Sequence, residues 1–306
     1  MDNLANRLKG SLWGLFVGDA LGAPYEFMDR STYQASPRYQ PGGTHGLKAG
    51  QWTDDTSMAL CIIESLNQKE NLDFDDVMSK WLDWNYDGYL SSTGVCFDIG
   101  FTTQYALREY KKTKQLFQGL SDDQYSGNGG IMRLSPVAVW SHQSNPRKME
   151  QDCLAVSNLT HPSSKCQACA ILMTNLLRIF YFRDHSNSKH QIIKNYLRWT
   201  KDATVKEILN HILSSDYEIK SSGYVVHTLE TALWALLNSD NFQAGLMIVM
   251  NMGGDVDTVG AVYGQLAGAY YGMSGIDSYY LDNLWDKETL EEMVNTLVKN
   301  SRVRKV

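Results

Sequence analysis

The hydrophobic positions of this chain recur at helical spacing. Leu8, Leu12 and Leu15 follow an i, i+4, i+7 pattern, and Asp19 continues the same face. Ala59, Ile62, Ile63 and Leu66 form a second such face, and Val225, Leu229, Leu233 and Leu236 a third. Ile171, Asn175, Ile179 and Phe182 belong to a long apolar segment. Alternating runs of the kind that build half-buried strands are scarce. The prolines fall in turn-like places such as Pro24, Pro41 and Pro162. The pattern predicts an all-α fold.

Polar or Gly-rich connections occur near Arg30 to Gly50, Lys111 to Gly130 and His185 to Ser188. None is long or biased enough to act as an interdomain linker, and no internal repeat is apparent. Residues 1–306 are therefore expected to form one domain. Late in the chain Gly260, Gly264, Gly268 and Gly272 recur every four residues and line one side of a helix. Glycine in a helix interior costs about 1 kcal/mol relative to alanine, so four on one face predict very close helix packing. A membrane dimer face shows the same spacing. However, Thr258 to Ile276 holds five Gly, a Gln and several Tyr, too polar for a bilayer span. Near the N-terminus, GSLWGLFVG after Lys9 faintly resembles a signal-peptide apolar region, but Asp19 cuts it short. A cytoplasmic protein without a membrane segment is expected.

Composition narrows the function classes. With 43% hydrophobic and 20% charged residues the chain is an ordinary globular one. Its formal net charge of -6 argues against general nucleic-acid binding, which needs many Lys and Arg near phosphates. The five cysteines, Cys61, Cys96, Cys153, Cys166 and Cys169, are odd in number and scattered, so they are not a disulfide framework. Cys166 and Cys169 have CxxC spacing but no second pair and no redox context. They read as buried helical thiols.

Two acidic clusters carry the candidate chemistry. In GQWTDDTSMAL, Thr53, Asp54, Asp55 and Thr56 directly precede an apolar helical run. In MGGDVDTVGAV, Asp255, Asp257 and Thr258 directly precede the glycine-striped helix. Taken singly, each reads as helix capping, since Asp and Thr are good caps and a carboxylate suits the positive end of the helix dipole. One cap needs one such residue, and both clusters exceed that need. Four carboxylates brought together repel unless cations neutralise them, and hard oxygen ligands suit Mg²⁺, Mn²⁺ or Ca²⁺ rather than zinc.

A third element, GSLWGLFVGDALGAPYEF, places a Gly-Asp pair and then Glu26 after a helical run. GDALG at Gly18 to Gly22, TDDT at Thr53 to Thr56, GNGGIMR at Gly127 to Arg133, Thr160-His161 and DVDT at Asp255 to Thr258 resemble the ADP-ribosylglycohydrolase family, in the family's order. The resemblance implies an all-α fold with two divalent ions, Mg²⁺ or Mn²⁺, in a central cleft. It implies Thr53, Asp54, Asp55, Asp255, Asp257 and Thr258 as ligands, with Glu26 at the metal edge as ligand or as gate and base. Five carboxylates against two dications give a roughly balanced site.

Within the family, STGVCFDIG at Ser92 to Gly100 and GYVVHTLETALWAL at Gly223 to Leu236 look closest to the branch that reactivates dinitrogenase reductase by removing ADP-ribose from arginine. That likeness places Asp98 at the scissile ribose or the guanidinium, which a carboxylate holds by paired hydrogen bonds. It also implies that Asn128, Gly129 and Gly130 bring backbone N–H groups to the diphosphate, that His161 contacts phosphate or ribose, and that Tyr224 faces the adenine. On residue type alone, Asp98 is equally an ordinary polar residue beside a helix, Tyr224 a core tyrosine, and His161 a turn histidine before Pro162. Asp19 is read as orienting the loop that carries Glu26. The implied activity is metal-dependent hydrolysis of ADP-ribose from modified protein side chains, with arginine preferred. The competing expectations are a hydrolase for serine-linked, small-molecule or nucleobase-linked ADP-ribose, and a non-catalytic crystallin-like structural or ADP-ribose-binding protein.

Overall fold

The computed structural model describes residues 3–183 and 187–303. His185 and Ser186 of the third polar connection lie outside the described residues, as do the first two and last three positions of the chain. Fourteen α-helices and no strands occur among the described residues, as the helical spacing predicts. They are α1 (Asn3–Gly22), α2 (Asp54–Lys69), α3 (Phe74–Asp87), α4 (Phe101–Thr113), α5 (Ser135–Trp140), α6 (Pro146–Asn158) and α7 (Ser164–Phe182). After these come α8 (Lys189–Trp199), α9 (Ala203–Leu213), α10 (Val225–Leu237), α11 (Phe242–Met250), α12 (Val256–Tyr271), α13 (Ser278–Asp282) and α14 (Lys287–Val303).

Helices α1 and α12 form the centre. Every residue from Gly10 to Gly22 and from Val256 to Ala269 is buried, as expected of helices without a polar face. The two run against each other backbone to backbone. A Cβ added at Gly14 would lie 2.0 Å from the Gly264 carbonyl oxygen, and one at Gly18 would lie 1.9 Å from that of Gly260. One at Gly268 would lie 1.9 Å from the Gly10 oxygen. No side chain fits such a gap. Gly260, Gly264 and Gly268 of the predicted stripe thus face Gly18, Gly14 and Gly10 of α1, whereas Gly272 lies just past the end of α12 and its would-be Cβ meets the Asn6 side chain. The seam ends where a Cβ on Gly22 would meet the Asp257 Cα at 2.4 Å.

The faces read on α1, α2 and α10 are buried as expected. On α7 the buried face holds Cys166, Cys169, Leu172, Met173, Leu176 and Phe180. The line Ile171, Asn175, Ile179 points outward and ends at the exposed Phe182. An α7 that packs through its small and thiol-bearing side leaves its β-branched line only half covered. Cys166 and Cys169 are unpaired and buried in this helix. No described helix is long and apolar enough to cross a membrane.

Candidate metal centre and active site

The seam delivers the C-terminal end of α1 to the N-terminal end of α12, and α2 begins beside both. The α2 start is capped from a distance. Thr53 occupies the cap position but makes no side-chain cap bond. Asp19 of α1 does it instead: Thr53 N and Thr53 Oγ1 both donate to Asp19 Oδ1 at 2.9 Å, and Thr56 N donates to Asp19 Oδ2 at 2.9 Å. Asp19 therefore holds α2, and its carboxylate is not what orients the Glu26 loop. That loop is tied down by backbone, Phe27 N to Gly254 O at 2.7 Å and Gly254 N to Met28 O at 3.0 Å. These bonds set Glu26 against the turn that enters α12.

Asp19, Asp55 and Asp257 are fully buried and offer carboxylate oxygens within 4.8 Å of one another, and so do Glu26, Asp255 and Asp257. Asp55 Oδ1 and both Asp257 oxygens have no hydrogen-bond partner. Orphaned buried carboxylate oxygens are costly. A divalent cation is the species that suits several converging hard oxygens, so the residues present fit a metal centre. Electrostatics agree. Burial, then neighbouring carboxylates, push Asp54, Asp55 and Asp257 well above the usual carboxylate range. Burial also raises Asp19, against the opposing hydrogen bonds from Thr56 and Thr53. Arg133, fully buried, lies under the cluster with its guanidinium 4.3 Å from the Trp81 ring centroid. It eases Asp54 downward without forming an ion pair among the described contacts.

Above this floor opens a cavity of about 480 Å³, the size of an ordinary ligand pocket. Glu26, Asp54, Asp98, Asn128, Gly129, His161, Asp255 and Thr258 line it, with Gly127 and Gly223. Thr53, Asp55, Asp257, Gly130 and Tyr224 are not among its lining residues. Gly129 and Gly130 are small because of packing: a Cβ would meet His161 Cε1 at 2.7 Å and Ser157 Oγ at 2.4 Å respectively. Tyr224 precedes α10, pairs through its backbone with Gly127, and meets the His227 ring edge-on at 5.0 Å. Asn128 Nδ2 donates to Asp255 Oδ2 at 2.7 Å and to Thr228 Oγ1 at 3.0 Å, so this side chain orients a floor carboxylate.

His161 is neutral. Burial, then Arg133, drives it down to about 3. Arg133 Nη2 donates to Thr160 Oγ1 at 2.6 Å, which frees the threonine proton for His161 Nδ1 at 2.7 Å. On that network the Nε2 atom carries the hydrogen, and the ring offers the cavity a neutral donor.

Asp98 has φ +61 and stands on the cavity wall. Burial and neighbouring carboxylates raise it to about 7, and they raise Glu26 to about 9. Between them stands His45, a residue the sequence reading passed over. Its Nε2 lies 3.2 Å from Glu26 Oε2 and 3.3 Å from Asp98 Oδ1. A lone histidine in a glycine-rich connection has no periodicity to betray it. Two exposed aromatics at the cavity, Phe27 and Phe101, were also missed.

Comparisons with known proteins bear on the family of this chain. The family described as ADP-ribosylglycohydrolase matches residues 1–305. ADP-ribosylarginine hydrolase Tri1 of Serratia proteamaculans (strain 568) is 34% identical over 301 residues, covering 95% of this chain and 79% of the relative. ADP-ribosyl-[dinitrogen reductase] glycohydrolase of Rhodospirillum rubrum is 32% identical, covering 91% and 90%. A solved structure described as an ADP-ribosylglycohydrolase-related protein complex superposes with a TM-score of 0.85 at 31% identity, over 98% of this chain and 100% of the other. With the family match spanning nearly every residue and the acidic helix ends converging as they do, the chain belongs to the ADP-ribosylglycohydrolase family.

Proposed function

We propose that the protein hydrolyses the N-glycosidic bond joining ADP-ribose to an arginine side chain of a modified protein, with two divalent cations, Mg²⁺ or Mn²⁺. Thr53, Asp54, Asp55, Asp255, Asp257 and Thr258 would hold the ions. When bound, the ions supply Lewis acidity toward the ribose and a water of lowered pKa. The observation that carries the reading is a carboxylate, Asp98, on the wall of the same cavity that backs onto the acid floor. The Serratia and Rhodospirillum relatives, named for arginine-linked and dinitrogen reductase substrates, support it.

In this reading the ADP portion lies along Gly127, Asn128 and Gly129, with His161 donating Nε2–H to a phosphate or ribose oxygen. Tyr224 faces the adenine. Asp98 grips the guanidinium by paired hydrogen bonds, a fork that a serine hydroxyl does not offer. Water adds to the anomeric carbon, the carbon–nitrogen bond breaks, and guanidine departs. One proton of the water must reach the departing group, and Glu26 or Asp98 moves it. The α1–α12 seam, joining early and late parts of the chain, supports reading residues 1–306 as one domain. The unpaired cysteines, four of them buried, support a reducing, cytoplasmic setting.

The test is turnover of defined arginine- and serine-linked ADP-ribosyl peptides, with Mg²⁺, with Mn²⁺ and after chelation. Metal-dependent cleavage with the arginine linkage faster is expected. Faster cleavage of the serine linkage overturns the specificity, and full activity after verified metal removal overturns the metal reading.

A further inference from the structure

We infer that Asp19 is a positioning residue for the metal centre: it accepts the hydrogen bond that the Thr53 hydroxyl donates and so turns that hydroxyl's lone pairs toward Asp55. This rests on the reading that Thr53 and Asp55 hold metal.

A threonine hydroxyl has one hydrogen and two lone pairs. Thr53 Oγ1 has two carboxylate neighbours, Asp19 Oδ1 at 2.9 Å and Asp55 Oδ2 at 3.2 Å, and can donate to only one. The shorter contact is to Asp19. With the proton there, the Thr53 and Asp55 oxygens face each other as two acceptors. That pairing is repulsive when empty and favourable around a cation. Asp55 Oδ2 meanwhile accepts from Thr258 Oγ1 at 3.3 Å, which steadies it from the α12 side.

The Asp19 oxygens are themselves committed. Three donors, Thr53 N, Thr53 Oγ1 and Thr56 N, share them. A carboxylate so occupied serves as an anchor rather than as a ligand, although it lies within reach of Asp55 and Asp257. Asp19 also sits one residue beyond Gly18, which packs on Gly260 of α12. The same side chain that caps α2 is thus carried by the helix that fixes α12. It registers the Thr53-Asp54-Asp55 ligands against Asp255 and Asp257. Partners behind metal ligands typically change affinity by roughly 10–100-fold when lost.

The experiment titrates Mn²⁺ by calorimetry into chelator-treated full-length protein, wild type and Asp19→Asn, alongside melting of the metal-free proteins. The amide would set an N–H₂ donor against the Thr53 or Thr56 donors. Mn²⁺ affinity should fall roughly 10–100-fold with stoichiometry unchanged. If Asp19→Asn fails to fold, Asp19→Ser, smaller and with one acceptor oxygen, carries the same comparison. Three outcomes overturn the inference. Wild-type affinity in the variant, with or without a lower melting temperature, makes Asp19 merely structural. Loss of one bound ion makes it a direct ligand. Absence of Mn²⁺ binding by the wild type removes the metal reading itself, and the inference with it.

Discussion

The floor and the rim of the cavity are built on opposite principles. Floor residues Asp19, Asp55 and Asp257 stand at the ends of α1, α2 and α12, fully buried and fixed by a seam without side chains. Rim residues Glu26, His45 and Asp98 stand on turns, and Asp98 and the neighbouring Phe27 adopt positive φ. On the floor Asp55 and Asp257 have unpartnered oxygens, whereas the rim's carboxylates share a histidine. A metal site needs distances set to a fraction of an ångström, which regular helices supply. Proton transfer and target recognition need groups that can adjust as substrate enters, which loops supply.

The sharpest way to break this contrast is at the floor. Asp257→Ala should cut turnover by more than about 100-fold, since even residues behind metal ligands reach that figure. Fold should survive, because a carboxylate with two unpartnered oxygens is removed. Calorimetric Mn²⁺ binding with circular dichroism checks both halves; normal turnover would take Asp257 out of the site.

Next comes the seam. Gly264→Ala puts a Cβ at 1.8 Å from the Gly14 carbonyl oxygen. The obstacle is backbone, so the cost should reach about 3 kcal/mol or more, at or above the top of the overpacking range. At the rim, Gly100 has no atom within 4 Å of its would-be Cβ. Gly100→Ala should cost no more than about 1 kcal/mol, the scale of a cap change. Equal urea midpoints for the two variants would mean that the seam is not rigid.

Asp98→Asn tests whether the rim does chemistry. It should lower cleavage of the arginine linkage about 100-fold, the lower end of proton-transfer catalysis, and leave Mn²⁺ affinity unchanged. A matching loss of metal would merge rim and floor into one unit. The smallest effect is expected at Tyr224, which does not line the cavity. Tyr224→Ala should weaken ADP-ribose binding by about 1 kcal/mol, the low end of base stacking on an aromatic ring. Unchanged calorimetric affinity would make Tyr224 a packing residue only.

The same contrast decides what could be read in advance. Asp54, Asp55, Asp255 and Asp257 were visible because each pair abuts a helical run, where carboxylates exceeding the needs of a cap stand out. The glycine stripe on α12 was visible for the same reason of periodicity. Its partner on α1 has the same spacing, yet apolar neighbours such as Trp13, Leu15 and Phe16 dominate that segment. Asp19 was placed on the Leu8, Leu12, Leu15 face, but its three donors lie 34 and 37 positions away. No local pattern encodes such a pairing. His45 was missed because its two partners meet only once the turns around Glu26 and Asp98 fold together.

The backbone seam has a consequence in time. Helix α1 is synthesised well before α12, the helix on which its glycine face packs in the finished protein. At roughly 5–20 residues per second, that partner arrives some 10–50 s later. During that interval α1, buried almost throughout in the finished protein, is an apolar helix waiting for its mate. The centre that would bind cations cannot assemble on a growing chain, because Asp257 arrives with α12. A nascent chain interrupted before residue 255 therefore carries Thr53, Asp54 and Asp55 at the start of α2 without the α12 half of the proposed ligand set.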